Sequence, residues 1–281
     1  MYRVTMHNFL PLLSDMENLL ADEGIKRRAG REGSLIVMDS SPMVVIGDIH
    51  GDLRALEAIL RETEIEDKIQ EGWKLVCLGD YADRGPDPLE VYVQLFGLKR
   101  DYPGSVHLLK GNHEAPDLKP FQPHDLPWHI QSSFPERWRE VYADMVRVQQ
   151  LLPVAAIADS WLLLLHGGLS PGINRDSLIK PTKEDLEHIL WNDPSEQGMR
   201  VAPSPRGAGL RFNSEVTREV LGRLGVRHLI RSHQVTPEGY RFNHQGMVLT
   251  IMSAKNVFDL DRGAYLVLKP FEPLESCIRM F

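Results

Sequence analysis

The spacing of hydrophobic positions changes along the chain. Phe9, Leu12, Leu13, Met16, Leu19 and Leu20 fall at helical intervals, which predicts an N-terminal helix. The polar stretch with Gly24, Gly30 and Gly33 then predicts a loop reaching to about residue 40. From Met43 short apolar runs alternate with helical spacing. Met43 to Ile46 reads as a strand buried on both faces, followed by a helix carrying Leu53, Leu56, Ile59 and Leu60. Lys74 to Leu78 predicts a second strand, ahead of a helix with Leu89, Tyr92, Val93, Leu95 and Phe96, and Val106 to Lys110 a third. This alternation points to βαβ units with right-handed crossovers.

Prolines at 116, 120, 123 and 127 predict a long loop after Glu114, with no regular element. Pro135 suits the first turn of a helix that carries Trp138, Val141, Tyr142, Met145 and Val148. A second series of strands follows at Val154 to Ile157, Trp161 to Leu165, His228 to Ile230, Met247 to Ile251 and Ala264 to Leu268, with helical spacing at 183–190 and 213–224. Two strand series predict an α/β fold of four layers: two mixed β-sheets packed face to face as a central β-sandwich flanked by helices. There is no internal repeat and no long linker, so one domain is expected over 1–281. Within it, 1–40 form a helical segment and loop, 41–270 the core and 271–281 a short tail.

Composition narrows the possibilities. With 281 residues, 42% hydrophobic and 25% charged, the chain can bury a sizeable core. A net charge of −7 and a pI near 5.9 argue against nucleic acid or a membrane surface as general partners, since both are anionic. The cysteines are Cys77 and Cys277 alone, and Cys77 sits in an apolar run as a small buried hydrophobe. That fits a reducing cytoplasm. There is no leader-like N-terminal pattern and no run of 18 or more apolar residues, so a soluble, cytoplasmic protein is expected.

The chemistry lies at the strand ends. Asp48, His50, Asp80, Asp83, Arg84, Asn112, His113, His166 and His233 each stand at or just after an apolar run, where open α/β sheets gather their ligands. Each has a bland alternative: His166 as a satisfied core histidine, Asn112 as a turn residue, Asp83 and Arg84 as a surface pair, Asp48 as a helix cap. Five such clusters at strand ends favour a shared site. Oxygen and nitrogen donors without thiolates suit Mn, Fe or Zn in a reactive site rather than a structural zinc knot. Asp52 reads as the cap of the helix that follows it, with a supporting role beside the ligands possible.

The blocks Gly47-Asp48-Ile49-His50-Gly51, Gly79-Asp80-Tyr81-Ala82-Asp83-Arg84-Gly85 and Gly111-Asn112-His113-Glu114 resemble the signature blocks of the PPP-type serine/threonine protein phosphatases, within the calcineurin-like metallophosphoesterases. His166-Gly167-Gly168-Leu169-Ser170-Pro171, Trp191-Asn192-Asp193-Pro194, Arg206-Gly207 and Ile230-Arg231-Ser232-His233-Gln234 continue the resemblance in family order over about residues 40–270. The resemblance implies that Asp48 and His50 hold one metal, that Asp80 bridges two, and that Asn112, His166 and His233 hold the second. It implies phosphate binding by Arg84, Arg206 and Asn112, and a general acid His113 oriented by Asp83. The implied reaction is single-step in-line attack on phosphoserine or phosphothreonine by a hydroxide shared between the ions, with a phosphoprotein as partner. Oligomeric state is not readable.

Two departures stand out. Where the family has Ser-Ala-Pro-Asn-Tyr, this chain has Ser253-Ala254-Lys255-Asn256-Val257, so the aromatic that approaches the cleft is missing and a lysine, either solvated or attractive to acidic substrates, has appeared. The proline-rich loop after Glu114 looks more like the archaeal and bacterial branch, and it is expected to border the cleft and shape substrate choice. Phe121 and Trp128 would either line a groove there or pack the loop onto the core. Two other classes compete: a small-molecule relative such as a bis-nucleoside tetraphosphate hydrolase, and a non-catalytic scaffold. Asp83 and Glu114 favour the protein phosphatases over the first, and the full ligand set disfavours the second.

Overall fold

A computed structural model describes residues 4–26 and 28–281. Its strands are β1 (Arg31–Glu32), β2 (Leu35–Met38), β3 (Met43–Ile46), β4 (Lys74–Cys77), β5 (Val106–Leu108), β6 (Ala155–Ala158), β7 (Leu162–Leu165), β8 (Asp193–Pro194), β9 (Val201–Pro203), β10 (Leu210–Phe212), β11 (His228–Arg231), β12 (Tyr240–Asn243), β13 (Val248–Ile251), β14 (Ala264–Leu268) and β15 (Ile278–Met280). The α-helices are α1 (Met6–Lys26), α2 (Leu53–Thr63), α3 (Ile65–Gln70), α4 (Pro88–Asp101), α5 (Leu126–Ser133), α6 (Trp138–Leu151), α7 (Arg175–Ile179), α8 (Lys183–Trp191), α9 (Ser214–Leu224) and α10 (Leu274–Cys277).

Side-chain alternation along the strands builds the layers. Val44, Ile46, Leu75, Cys77, Val106 and Leu108 face the helices α1, α2, α4 and α6, while Met43, Val45, Val76 and Leu78 face the other sheet. There they meet Ile36, Ala156, Leu162, Leu164, Ile230, Leu249 and Ile251. The opposite face of that second sheet, with Leu35, Ile157, Leu163, Leu165, Leu229 and Val248, packs on α7, α8 and α9. This is the expected sandwich flanked by helices. One sheet runs β15-β14-β3-β4-β5 and the other β1-β2-β6-β7-β11-β13-β12, with a small third sheet β8-β10-β9. The adjacent parallel pairs β3–β4–β5 and β7–β11–β13 send several carboxyl ends toward one edge of the sandwich.

Four expectations need correction. The supposed loop before residue 40 contains β2, which pairs in parallel with β6; the glycines at 24, 30 and 33 read as loop right up to the short apolar run Leu35 to Met38 and mask it. The loop after Glu114 is interrupted by α5, with Pro127 in its first turn, where the missing N–H costs nothing. Pro135 lies in the turn between α5 and α6 instead of inside α6, which begins at Trp138. The tail also joins the fold, since β15 pairs antiparallel with β14. No helix among the described residues is long and apolar enough to cross a membrane.

Candidate dimetal and phosphate site

The residues singled out in sequence converge at that edge. Asp48, His50, Asp80, Asp83, Asn112, His113, His166 and His233 are all buried, and Asp48, His50, Asp80, Arg84, Asn112, His113, Arg206 and His233 line one open cleft of about 860 Å³. His50 Nε2 lies 3.4 Å from Asp80 Oδ2 and 3.8 Å from Asp48 Oδ2. His166 Nε2 lies 3.5 Å from Asp80 Oδ1, 3.0 Å from Asn112 Oδ1 and 3.1 Å from His233 Nδ1. Two overlapping triads, His50–Asp80–His113 and Asp80–His166–His233, have donor atoms within 4.8 Å of one another, and Asp80 belongs to both.

The hydrogen bonds behind these donors settle which atoms carry lone pairs. His50 Nδ1 donates to Ala82 O at 2.9 Å and His166 Nδ1 to Leu78 O at 3.1 Å, so each Nε2 presents a lone pair to the centre. Burial pushes the pKa of both rings down to about 4, and that of His233 well below its ordinary value, which keeps all three neutral. Asn112 Oδ1, an acceptor, sits 2.8 Å from His233 Nδ1 and 3.0 Å from the unprotonated His166 Nε2. His233 Nε2 is buried without a partner. Acceptors turned toward one another fit cations between them, and carboxylate, amide and imidazole donors suit Mn, Fe or Zn.

Backbone strain is concentrated here. His50, Asp80, Asp83, Arg84 and His233 all have φ between 47° and 76°, a left-handed region that ordinary side chains seldom occupy. Nearby acceptors hold each turn. Ile49 N and His50 N donate to Asp80 O at 3.0 and 2.8 Å, and His233 N donates to Asp48 Oδ1 at 3.1 Å. Glu114 accepts from Asp80 N at 2.7 Å, Tyr81 N at 3.0 Å, Gly111 N at 2.9 Å and the Tyr92 hydroxyl at 3.2 Å. Even so, its burial raises its pKa to about 7. At Gly111 a side chain is excluded outright, because a Cβ would lie 2.2 Å from Asp80 Oδ1.

His113 faces the cleft from the same turn. Its Nδ1 donates to Asp83 Oδ2 at 2.7 Å, and its main-chain N to Asp80 Oδ1 at 3.0 Å. Burial opposes ionisation of Asp83, but hydrogen bonds from His113, His124 and Leu126 outweigh it and hold the carboxyl below its ordinary pKa. For His113 the balance runs the other way: burial outweighs the Asp83 bond and lowers its pKa.

The arginines are held differently. Arg84 is exposed at the mouth; its N–H donates to the Asp125 carboxylate at 3.2 Å and its guanidinium lies over Phe258. Arg206 donates from Nε to Asp193 Oδ2 at 2.8 Å, while Asp193 Oδ1 accepts from the fully buried Arg231 at 3.0 Å. Glu114, Asp193 and Arg231 stand in the motif blocks with no role that the sequence alone shows, and the fold brings all three to the site.

The cleft walls also revise two expectations. The family aromatic is absent at Val257, yet Phe258 lines the cleft one residue later, with its ring 5.5 Å from that of His50. Lys255 does not face the cleft: its Nζ sits 4.9 Å from the Phe281 ring. Asn256 is tied back by Asp52, which accepts from Asn256 N at 2.8 Å and caps α2 through Ala55 N at 3.1 Å. Of the loop aromatics, Phe121 lines the cleft with its ring 4.1 Å from His113, whereas Trp128 is 63% exposed and lies outside the lining.

A buried cluster of neutral imidazoles and carboxylates at strand ends, beside an acid–base pair and two arginines, defines a metal-assisted phosphoester site on a two-sheet sandwich. A profile of the calcineurin-like phosphoesterases matches residues 41–237, and the chain belongs to that family. It is 32% identical over 264 residues to a probable serine/threonine-protein phosphatase of Encephalitozoon cuniculi, covering 91% of this chain and 56% of that one. It is 34% identical over 234 residues to the serine/threonine-protein phosphatase 6 catalytic subunit of Caenorhabditis elegans, covering 79% and 67%. A solved Saccharomyces cerevisiae protein serine/threonine phosphatase with similarity to human phosphatase PP5 superposes with a TM-score of 0.79 at 20% identity, over 99% of this chain and 89% of that one; at that identity the likeness speaks to the fold. The chain spans less than half of several other curated relatives. These curated relatives are eukaryotic, which does not support the expected archaeal or bacterial affinity.

Proposed function

We propose that the chain is a metal-dependent protein serine/threonine phosphatase that hydrolyses phosphoserine and phosphothreonine monoesters in one in-line step. The observation that carries this reading is the convergence, at one cleft, of two overlapping donor triads with the His113–Asp83 pair and two arginines. The names of the relatives point the same way. Asp48 and His50 would hold one divalent ion, Asn112, His166 and His233 a second, and Asp80 both. Bound there, Mn, Fe or Zn supplies Lewis acidity that polarises the phosphoryl group and makes water acidic near neutral pH.

The chain's own residues do the rest. Arg84 and Arg206 grip the phosphoryl oxygens with forked donors, and Asn112 adds its amide. Asp193 binds Arg206 through Nε at 2.8 Å and Nη2 reaches His233 O at 3.5 Å, which leaves Nη1 for the phosphoryl group. His113, with Nδ1 fixed by Asp83, presents Nε2 to the leaving oxygen and gives it a proton, which a seryl or threonyl alkoxide needs. Its lowered resting pKa is offset when the phosphate dianion arrives beside it, because a nearby negative charge favours the protonated ring. The free, buried Cys77 and Cys277 support a reducing, cytoplasmic setting, and we read residues 1–281 as one catalytic domain.

The test compares phosphate release from phosphoserine, phosphothreonine and phosphotyrosine peptides with turnover of a bis-nucleoside tetraphosphate, using Asp80→Asn and His113→Asn as controls. Preferential release from the first two peptides, lost in both variants, is the expected result. Faster turnover of the dinucleotide would replace the protein-phosphatase reading by the small-molecule one. Net retention at a chirally labelled phosphorus would exclude the single in-line step.

A further inference from the structure

Asp83 is anchored mainly from one short segment at the start of α5. Its Oδ1 accepts from Asp125 N and Leu126 N, both at 2.8 Å, and its Oδ2 accepts from His113 Nδ1 at 2.7 Å and His124 Nδ1 at 3.4 Å. His124 is itself fixed, since its Nε2 accepts from the Tyr142 hydroxyl of α6 at 2.9 Å. Three of the four donors to Asp83 thus come from residues 124–126. The same segment supplies the Asp125 carboxylate that accepts from Arg84 N, and Phe121 just before it covers one side of the His113 ring. Neither His124 nor Tyr142 lines the cleft, so neither is placed to touch substrate.

We propose that His124 and Tyr142 are positioning residues for the general acid: they extend the His113–Asp83 pair into a four-membered chain, Tyr142–His124–Asp83–His113, that ties its orientation to α6. The proposal rests on the reading of His113 as the acid that protonates the leaving oxygen. The anchor lies in the proline-rich segment, and its chemistry is that of a brace, in addition to the wall that Phe121 forms. With Oδ1 held by Asp125 N and Leu126 N, loss of His124 leaves Oδ2 fixed by His113 alone, so the carboxylate can tilt about its Oδ1 anchor and the imidazole tilts with it. Geometry errors of this size in a positioned acid remove part of its effect, and a general acid contributes about 10²–10⁴-fold in all.

The experiment uses leaving groups as the readout. A phosphoserine peptide needs a proton on its alkoxide, whereas p-nitrophenyl phosphate leaves as a stable phenolate and needs little help. His113→Asn is the reference and should lose at least about 100-fold on the peptide and far less on the aryl ester. His124→Ala should lose about tenfold in kcat on the peptide and less than about twofold on the aryl ester, with KM and bound metal unchanged. His124→Asn, which keeps a donor for Asp83, should recover most of that loss, and Tyr142→Phe should show a smaller loss of the same selectivity while preserving the packing. In the metal-free protein, the downfield proton resonance of the His113–Asp83 bond should shift or broaden in His124→Ala and Tyr142→Phe. Equal losses on both substrates in these two variants, or an unmoved resonance, would overturn the proposal. If His113→Asn itself loses equally on both, the reading of His113 as the acid fails, and the proposal falls with it.

Discussion

The two halves of the site are built by different means. Asp48, His50, Asp80, Asp83, Asn112 and His113 follow three adjacent parallel strands, β3, β4 and β5, and their turns are held by main-chain N–H groups gathered on the single carboxylate of Glu114 and on Asp80 O. His166, Arg206 and His233 come from the second sheet and the loop beside β9 and β10, and Arg206 is set by a buried side-chain relay through Asp193 to Arg231. The first half is fixed by backbone geometry close in sequence to its ligands. The second is fixed by charges brought together across the fold, and it is exposed to the cost of leaving one of them unpaired.

Four substitutions would break or sharpen that contrast. The largest effect is expected at the residue both halves share: Asp80→Asn removes a donor from both triads and should lower turnover by about 10³-fold or more, with bound metal falling on elemental analysis of the dialysed protein. Retention of two metals and full turnover would refute a bridging role. Next comes Asp193→Asn, which strands the buried Arg231 guanidinium, whose pKa burial already lowers to about 10. Breaking such a pair costs about 3–5 kcal/mol, read as a lower midpoint in denaturant unfolding together with a raised KM through Arg206.

Glu114→Gln attacks the first half instead. It should cost less stability, about 1–3 kcal/mol, and weaken metal binding about 10–100-fold, since it loosens the turn that carries Asp80. If Glu114→Gln were more destabilising than Asp193→Asn, the contrast between the halves would be wrong. The smallest effect belongs to Lys255→Ala. Its ammonium rests on Phe281 outside the cleft, so stability should change by less than about 1 kcal/mol, and the ranking of acidic against neutral phosphopeptides by kcat/KM should not change.

That contrast also explains what could be read early. The βαβ alternation, the four layers and the first half of the site were visible because each ligand there stands in the turn that ends its own apolar run, so local pattern and tertiary position coincide. His166 and His233 were legible for the same reason, standing just past β7 and β11. Strand β2 escaped because the glycines at 24, 30 and 33 read as loop up to its first residue. Helix α5 escaped because proline marks both loops and first turns of helices. Phe258 was missed because position alone says nothing about which way a loop residue turns; here Asp52 holds Asn256 and the chain after it swings the next aromatic over His50.

By itself, the sequence determined the order and period of the elements and the chemical types at the strand ends, because burial periodicity and glycine turns are local properties. The tertiary structure alone decided which histidine nitrogens present lone pairs, since that depends on Ala82 O and Leu78 O reached across turns. It also decided that Glu114 gathers the turns of the first half, that Arg231 steers Arg206 through Asp193, and that His124 and Tyr142 stand behind Asp83. Each of these is a hydrogen bond between residues whose separation along the chain carries no signal, formed only once packing has excluded water and made an unpaired polar group costly.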